Sequence, residues 1–119
     1  MADIDFKLLA NSEALSFKAG ETIFHEGDQG NELYVVQSGS VQISIGGRTI
    51  ETLSEHGIFG EIALIEDTPR NATAVAVTDT SVVPVGEKQF LFLVRETPYF
   101  ALNVMRVLAR RLIASNKMI

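Results

Sequence analysis

Residues 40 to 47 leave the chain the least freedom. Ser40-Val41-Gln42-Ile43-Ser44-Ile45 alternates polar and apolar side chains at period two, the pattern of a strand with one buried and one wet face. Gly46-Gly47 follows at once, a pair suited to a two-residue hairpin turn. Arg48 to Leu53 is the returning strand.

Other short segments repeat this rhythm. Ala14 to Phe17 and Thr22 to His25 read as strands either side of the turn Lys18-Ala19-Gly20-Glu21. Glu26-Gly27-Asp28-Gln29-Gly30-Asn31 is rich in turn formers. Leu33 to Gln37 is an apolar strand broken by Gly39. Ala72 to Val77 alternates small and β-branched residues, and Ser81 to Val85 closes the series, with Pro84 suited to an edge or a bulge. Strands at this spacing imply a sandwich, roll or barrel. The character then changes. Glu87 to Arg95 reads as a helix, Thr97-Pro98 as a break with Pro98 at a first helical position, and Phe100 to about Lys117 as a longer helix. In that last helix Ala101, Met105, Leu108 and Leu112 form an apolar stripe at steps of four, three and four, with Asn103, Arg106, Arg110 and Lys117 on the other side. The expected architecture is mainly β, an antiparallel, jelly-roll-like β-roll over about 12–86 with two α-helices over about 87–117, in one domain spanning 1–119.

Composition removes several functions. The chain of 119 residues is 46 % apolar and has no cysteine, which excludes disulfides, thiolate metal sites and cysteine nucleophiles. Its first residues carry acid where a secretory signal carries base, and no apolar run approaches the roughly 18 residues of a membrane span. The expectation is a cytoplasmic protein without a membrane partner. A net charge of −5 argues against a nucleic-acid partner. The late basic residues Arg106, Arg110, Arg111 and Lys117, read alone, suit the solvent-facing end of a helix.

The chemistry concentrates in Gly57 to Thr73. Gly57 and Gly60 let backbone approach a ligand. Glu61-Ile62-Ala63-Leu64 suits one helical turn whose first N–H groups point at an anion. Thr68-Pro69 turns Arg70 back toward the same place, and arginine offers a planar fork of donors for phosphate oxygens. Beside an anion site, Glu61 makes sense as the reader of a neutral donor, such as a sugar hydroxyl.

Phe59-Gly60-Glu61-Ile62-Ala63-Leu64 followed by Pro69-Arg70-Asn71-Ala72-Thr73 resembles the phosphate-binding cassette of the cyclic nucleotide-binding domain family. Gly27-Asp28, Gly30, Leu33-Tyr34-Val35-Val36 and Gly39 resemble that family's glycine-punctuated early strands, so the likeness covers roughly residues 15 to 117. The resemblance implies that Glu61 accepts from the ribose 2′-hydroxyl and that Arg70 pairs with the cyclic phosphate. Backbone around Phe59, Gly60, Ile62, Ala63 and Ala72 would complete the cradle. The run Ala109 to Lys117 resembles the end of the long helix in catabolite-activator-type members. There an arginine reaches the cassette glutamate and a hydroxyl contacts adenine, which implies Arg111 and Ser115 here. Asn71 departs from the alanine or threonine usual after the arginine, and its amide can donate to phosphate or to a base.

The function expected is a non-enzymatic regulatory domain that binds cyclic AMP in preference to cyclic GMP. It would signal by repacking its C-terminal helices, with a protein partner or a second copy on the last helix. Two other readings stand beside it. One is a degenerate domain of the same fold acting as a scaffold. The other is a cupin-like metal enzyme, for which His25 and His56 lack the dense histidine pattern; no metal or cofactor is expected. As a structural residue, Arg70 would pair with Glu66 or Asp67. Tyr99, Phe100 and Met105 are expected to pack on the roll rather than cover a base.

Overall fold

The computed structural model describes residues 13–117. Eight antiparallel strands form two sheets, followed by helices. The strands are β1 Leu15–Phe17, β2 Thr22–Phe24, β3 Leu33–Ser38, β4 Val41–Ile45, β5 Arg48–Leu53, β6 Ile58–Phe59, β7 Thr73–Ala76 and β8 Thr80–Val85. Helix α1, Glu61–Glu66, interrupts the roll, and α2, Glu87–Glu96, and α3, Tyr99–Lys117, end it. One sheet has the order β1-β8-β3-β6 and the other β2-β7-β4-β5.

The two sheets are buried differently, and the sequence differs with them. In β4, Val41 and Ile43 face inward while Gln42 and Ser44 are half-exposed, so alternation is legible. β3 and β8 are covered on both faces. Leu33, Val35, Val83 and Val85 join Leu93, Phe100 and Val104 in a core under the helices. Val36 and Val82 point the other way, into a core between the sheets with Phe24, Val41, Ile43 and Phe59. Two-sided burial turns period two into a continuous apolar run.

The hairpin forms as the glycine pair requires: Gly46 and Gly47 have φ of 58° and 79°, and Ile45 pairs with Arg48. Further along, Ile43 pairs with Glu51 but Ser44 with Thr49, leaving Ile50 as the extra residue of a bulge. Bulges re-aim side chains. Pro84 pairs with Tyr34 on β3, while β1 reaches only as far as Val82. Its missing N–H therefore falls where β8 has become an edge.

The last helix is oriented differently from the sequence expectation. Its buried line is Phe100, Asn103 and Val104, continued by Val107 and Leu108 packed against the core. Met105 and Leu112 of the expected stripe are 57 % and 63 % exposed, and Asn103, expected outside, is 6 % exposed. Tyr99 is exposed as well, so of the three residues expected to pack on the roll only Phe100 does. The helix carries two apolar lines, and spacing alone does not say which one the roll covers. The side chain of Lys117 lies outside the described residues.

Candidate functional site

Strand β6 delivers the site. It pairs with β3 through Tyr34↔Phe59 and Val35↔Ile58, burying Phe59 against the Tyr34 ring at 5.3 Å and Phe24 at 5.8 Å. Gly60 then takes φ 79°, a left-handed turn that glycine enters without penalty, and swings the chain into α1. That turn sets Glu61 beneath α3, where it is 3 % exposed. Asp67 ends α1 in the left-handed region, its N–H donating to Ala63 O at 3.2 Å.

Arg70 returns to this corner through the early turn. Its N–H donates to Asp28 O and its carbonyl accepts from Gly27 N–H, each at 2.8 Å. The side chain lies in a slot. Nη1 donates to the carbonyls of Glu32 at 2.7 Å and Gly60 at 3.0 Å. The guanidinium sits 4.3 Å over the Phe24 ring and 5.4 Å over Tyr34. The glycines make the slot possible: a Cβ on Gly30 would stand 2.6 Å from Arg70 Cζ, and one on Gly60 2.8 Å from Nη1. Burial pushes the Tyr34 phenol above its ordinary value, and Arg70 partly offsets that. Arg70 is 6 % exposed. Among the described residues no ion pair includes it, so pairing with Glu66 or Asp67 is not how it is held.

Arg111 is held in the opposite manner. From α3 its Nη1 pairs with Glu61 Oε1, its Nε donates to Glu51 Oε1 at 2.8 Å and its Nη2 donates to Ile58 O at 2.7 Å. It does not face solvent; its side chain is 17 % exposed. Burial raises the Glu61 carboxyl above its ordinary value, and Arg111 acts in the other direction.

Between these corners lies a cavity of about 220 Å³. Of the residues the sequence singles out, Phe59, Gly60, Glu61, Ile62, Asn71, Ala72 and Arg111 line it. Ala63 does not; it is 2 % exposed on the inner side of α1. Arg70 does not line it either, but stands behind Gly60 and bonds that residue's carbonyl. Ser115 lies in the last turns of α3, and its side chain falls outside the described residues. The sequence reading missed the apolar wall: Phe24, Ile43, Ile45 and Ile50 from the strands, Leu108 and Leu112 from α3. Inward positions of the Val41–Ile45 alternation were the available signal for Ile43 and Ile45. Glu51 was also missed, because the bulge at Ile50 is invisible in the Arg48–Leu53 pattern. Among the described residues no group of three or more histidine or acidic side chains is placed to hold a metal ion, and no helix is long and apolar enough to cross a membrane.

Comparison with known proteins agrees with this fold. A family profile described as cyclic nucleotide-binding domain matches residues 14–97. The cyclic AMP receptor protein of Thermus thermophilus is 40 % identical over 101 residues, covering 81 % of this chain and 47 % of the relative. A cGMP-dependent protein kinase of Toxoplasma gondii is 44 % identical over 73 residues, covering 61 % of this chain and 7 % of the kinase. The chain thus spans less than half the length of either relative. The crystal structure of Thermus thermophilus catabolite activator protein superposes with a TM-score of 0.79 at 34 % identity, over 94 % of this chain and 55 % of that one.

Proposed function

The chain belongs to the cyclic nucleotide-binding domain family, and from that premise we propose that its cavity takes one cyclic nucleotide, cyclic AMP in preference to cyclic GMP, with the phosphate at Arg70 and the ribose at Glu61. The domain is a cyclic nucleotide-binding regulatory domain. The observation that carries the finer reading is Arg70: a buried guanidinium held by carbonyls and ring faces, without a carboxylate among the described ion pairs. A cation kept from water gains most from a desolvated counter-charge, and phosphate presents oxygens that match its fork. Gly60 joins the two, lining the cavity and accepting from Arg70.

Glu61 and Asn71 both line the same cavity, and the Asn71 amide can donate to phosphate or base. The apolar wall suits the faces of a purine, with Ser115 the adenine contact on α3. The longer match to a relative named for cyclic AMP supports that nucleotide over cyclic GMP.

Arg111, Leu108 and Leu112 belong to both α3 and the cavity wall. A ligand in the cavity therefore acts on α3 directly and favours the helix packing it binds better. The open side of α3 carries Met105 and Ile113, a surface for a protein partner or a second copy. The test is thermal unfolding with each nucleotide. Cyclic AMP raises the melting temperature more than an equal concentration of cyclic GMP; no shift from either at millimolar ligand contradicts the reading.

A further inference from the structure

The carbonyls that hold Arg70 hold it at one corner. Glu32 O and Gly60 O both accept from Nη1, while Nε and Nη2 carry the other three donors of a guanidinium. Hydrogen bonds tolerate about 30° of bend, so two of them on one nitrogen leave the far edge loosely aimed. A ring takes up that slack. Cζ lies 4.3 Å from the Phe24 centroid, well within the range at which a ring face attracts a guanidinium. Tyr34 is farther, at 5.4 Å. Phe24 also lines the cavity, and Tyr34 does not, so Phe24 stands where the cation meets the cavity. The ring is itself braced. Phe24 pairs across the sheet with Ala74, whose small side chain leaves it room, and packs on Phe59 at 5.8 Å and Tyr34 at 6.0 Å.

We infer that Phe24 is a positioning residue for phosphate recognition: its ring seats the Arg70 guanidinium and so aims the donors that the two carbonyls do not hold. This rests on the ligand reading above. An arginine fork recognises phosphate oxygens by direction as well as by charge. Burial strengthens the seat, because the attraction of a cation to a ring grows when water is kept away, and Arg70 is 6 % exposed. An aliphatic side chain at position 24 would still fill space, but its surface does not attract the cation. Arg70 would stay charged and close, its far edge would lose its aim, and phosphate would be held by charge alone.

The readout is stereochemical, which a purely structural role leaves unmoved. The two phosphorothioate isomers of cyclic AMP carry the same charge and differ only in which exocyclic oxygen is sulfur. The wild type should bind one isomer about tenfold or more tighter than the other, as expected for one charge-assisted hydrogen bond. In Phe24→Leu the ratio should fall to about threefold or less, with cyclic AMP itself weakened about tenfold. Phe24→Tyr keeps the ring and should keep the ratio. If Phe24→Leu does not fold, Phe24→Met fills the space more adaptably without a ring and carries the same test. Equal weakening of both isomers, a ratio unchanged in folded Phe24→Leu or Phe24→Met, or a ratio lost as fully in Phe24→Tyr, overturns the inference while leaving the binding function standing. So does a wild type that binds cyclic AMP without separating the isomers. A wild type that binds neither cyclic AMP nor cyclic GMP overturns the functional reading and this inference with it.

Discussion

Two arginines meet the cassette from opposite sides, and their surroundings are opposite in kind. Arg70 comes from the roll and is lodged among carbonyls, two aromatic faces and two glycines. Arg111 comes from α3 and is bound by Glu51, Glu61 and the Ile58 carbonyl. Both are largely out of water, so the presence of an acid decides what each can do. Arg111 has its counter-charge within the protein and ties the helix to the roll. Arg70 has a cradle without an acid among the described residues, which is the condition for taking an anion from outside.

The sharpest way to break this contrast is to remove each arginine in turn. Arg70→Ala should weaken cyclic AMP by about 3–5 kcal/mol, on the order of 10²–10³·⁵ in dissociation constant by calorimetry. Arg111→Ala should act first on the fold. It leaves buried Glu61 without its cation, for an expected loss of about 1–3 kcal/mol in urea unfolding, with the Glu51 share reduced by solvent. Equal binding losses from the two substitutions would erase the distinction.

Gly30→Ala sharpens the contrast. Its Cβ meets the end of the Arg70 side chain, not backbone, so Arg70 moves and the fold does not. Affinity should drop about tenfold while stability stays within about 0.5 kcal/mol; a large stability loss with unchanged affinity would show that the slot serves folding. The smallest effect is a pH dependence at Glu61. Its carboxyl is raised in the folded state by burial, so the stability it contributes is full below its unfolded pKa and is lost as pH rises through the folded value. Wild type should therefore lose ground against Glu61→Gln as pH rises above the ordinary carboxylate range. A difference that moves the opposite way would mean that Arg111 outweighs the burial.

Legibility in the sequence followed burial geometry. The β4–β5 hairpin was readable because one face is wet and Gly46-Gly47 sits between the strands. β6 was not, since two residues carry no period and Ile58-Phe59 lies between glycines. α3 was recognised as a helix but turned wrongly, because Met105, Leu112 and Ile113 satisfy helical spacing as well as Phe100, Val104 and Val107 do. At the site, Gly30 was recognisable as a glycine of the family pattern, but its task appears only when Arg70 lies against it. Glu51 carried no signal at all: a bulge and an arginine sixty positions away give it its place.

A crystal structure with cyclic AMP bound tests the central claim most directly. The expected result puts the phosphate oxygens within hydrogen-bond distance of the Arg70 guanidinium and the ribose hydroxyl on Glu61, with Arg111 still on its acids. A phosphate held by Arg111, with Arg70 still confined to the carbonyls of Glu32 and Gly60, would contradict it.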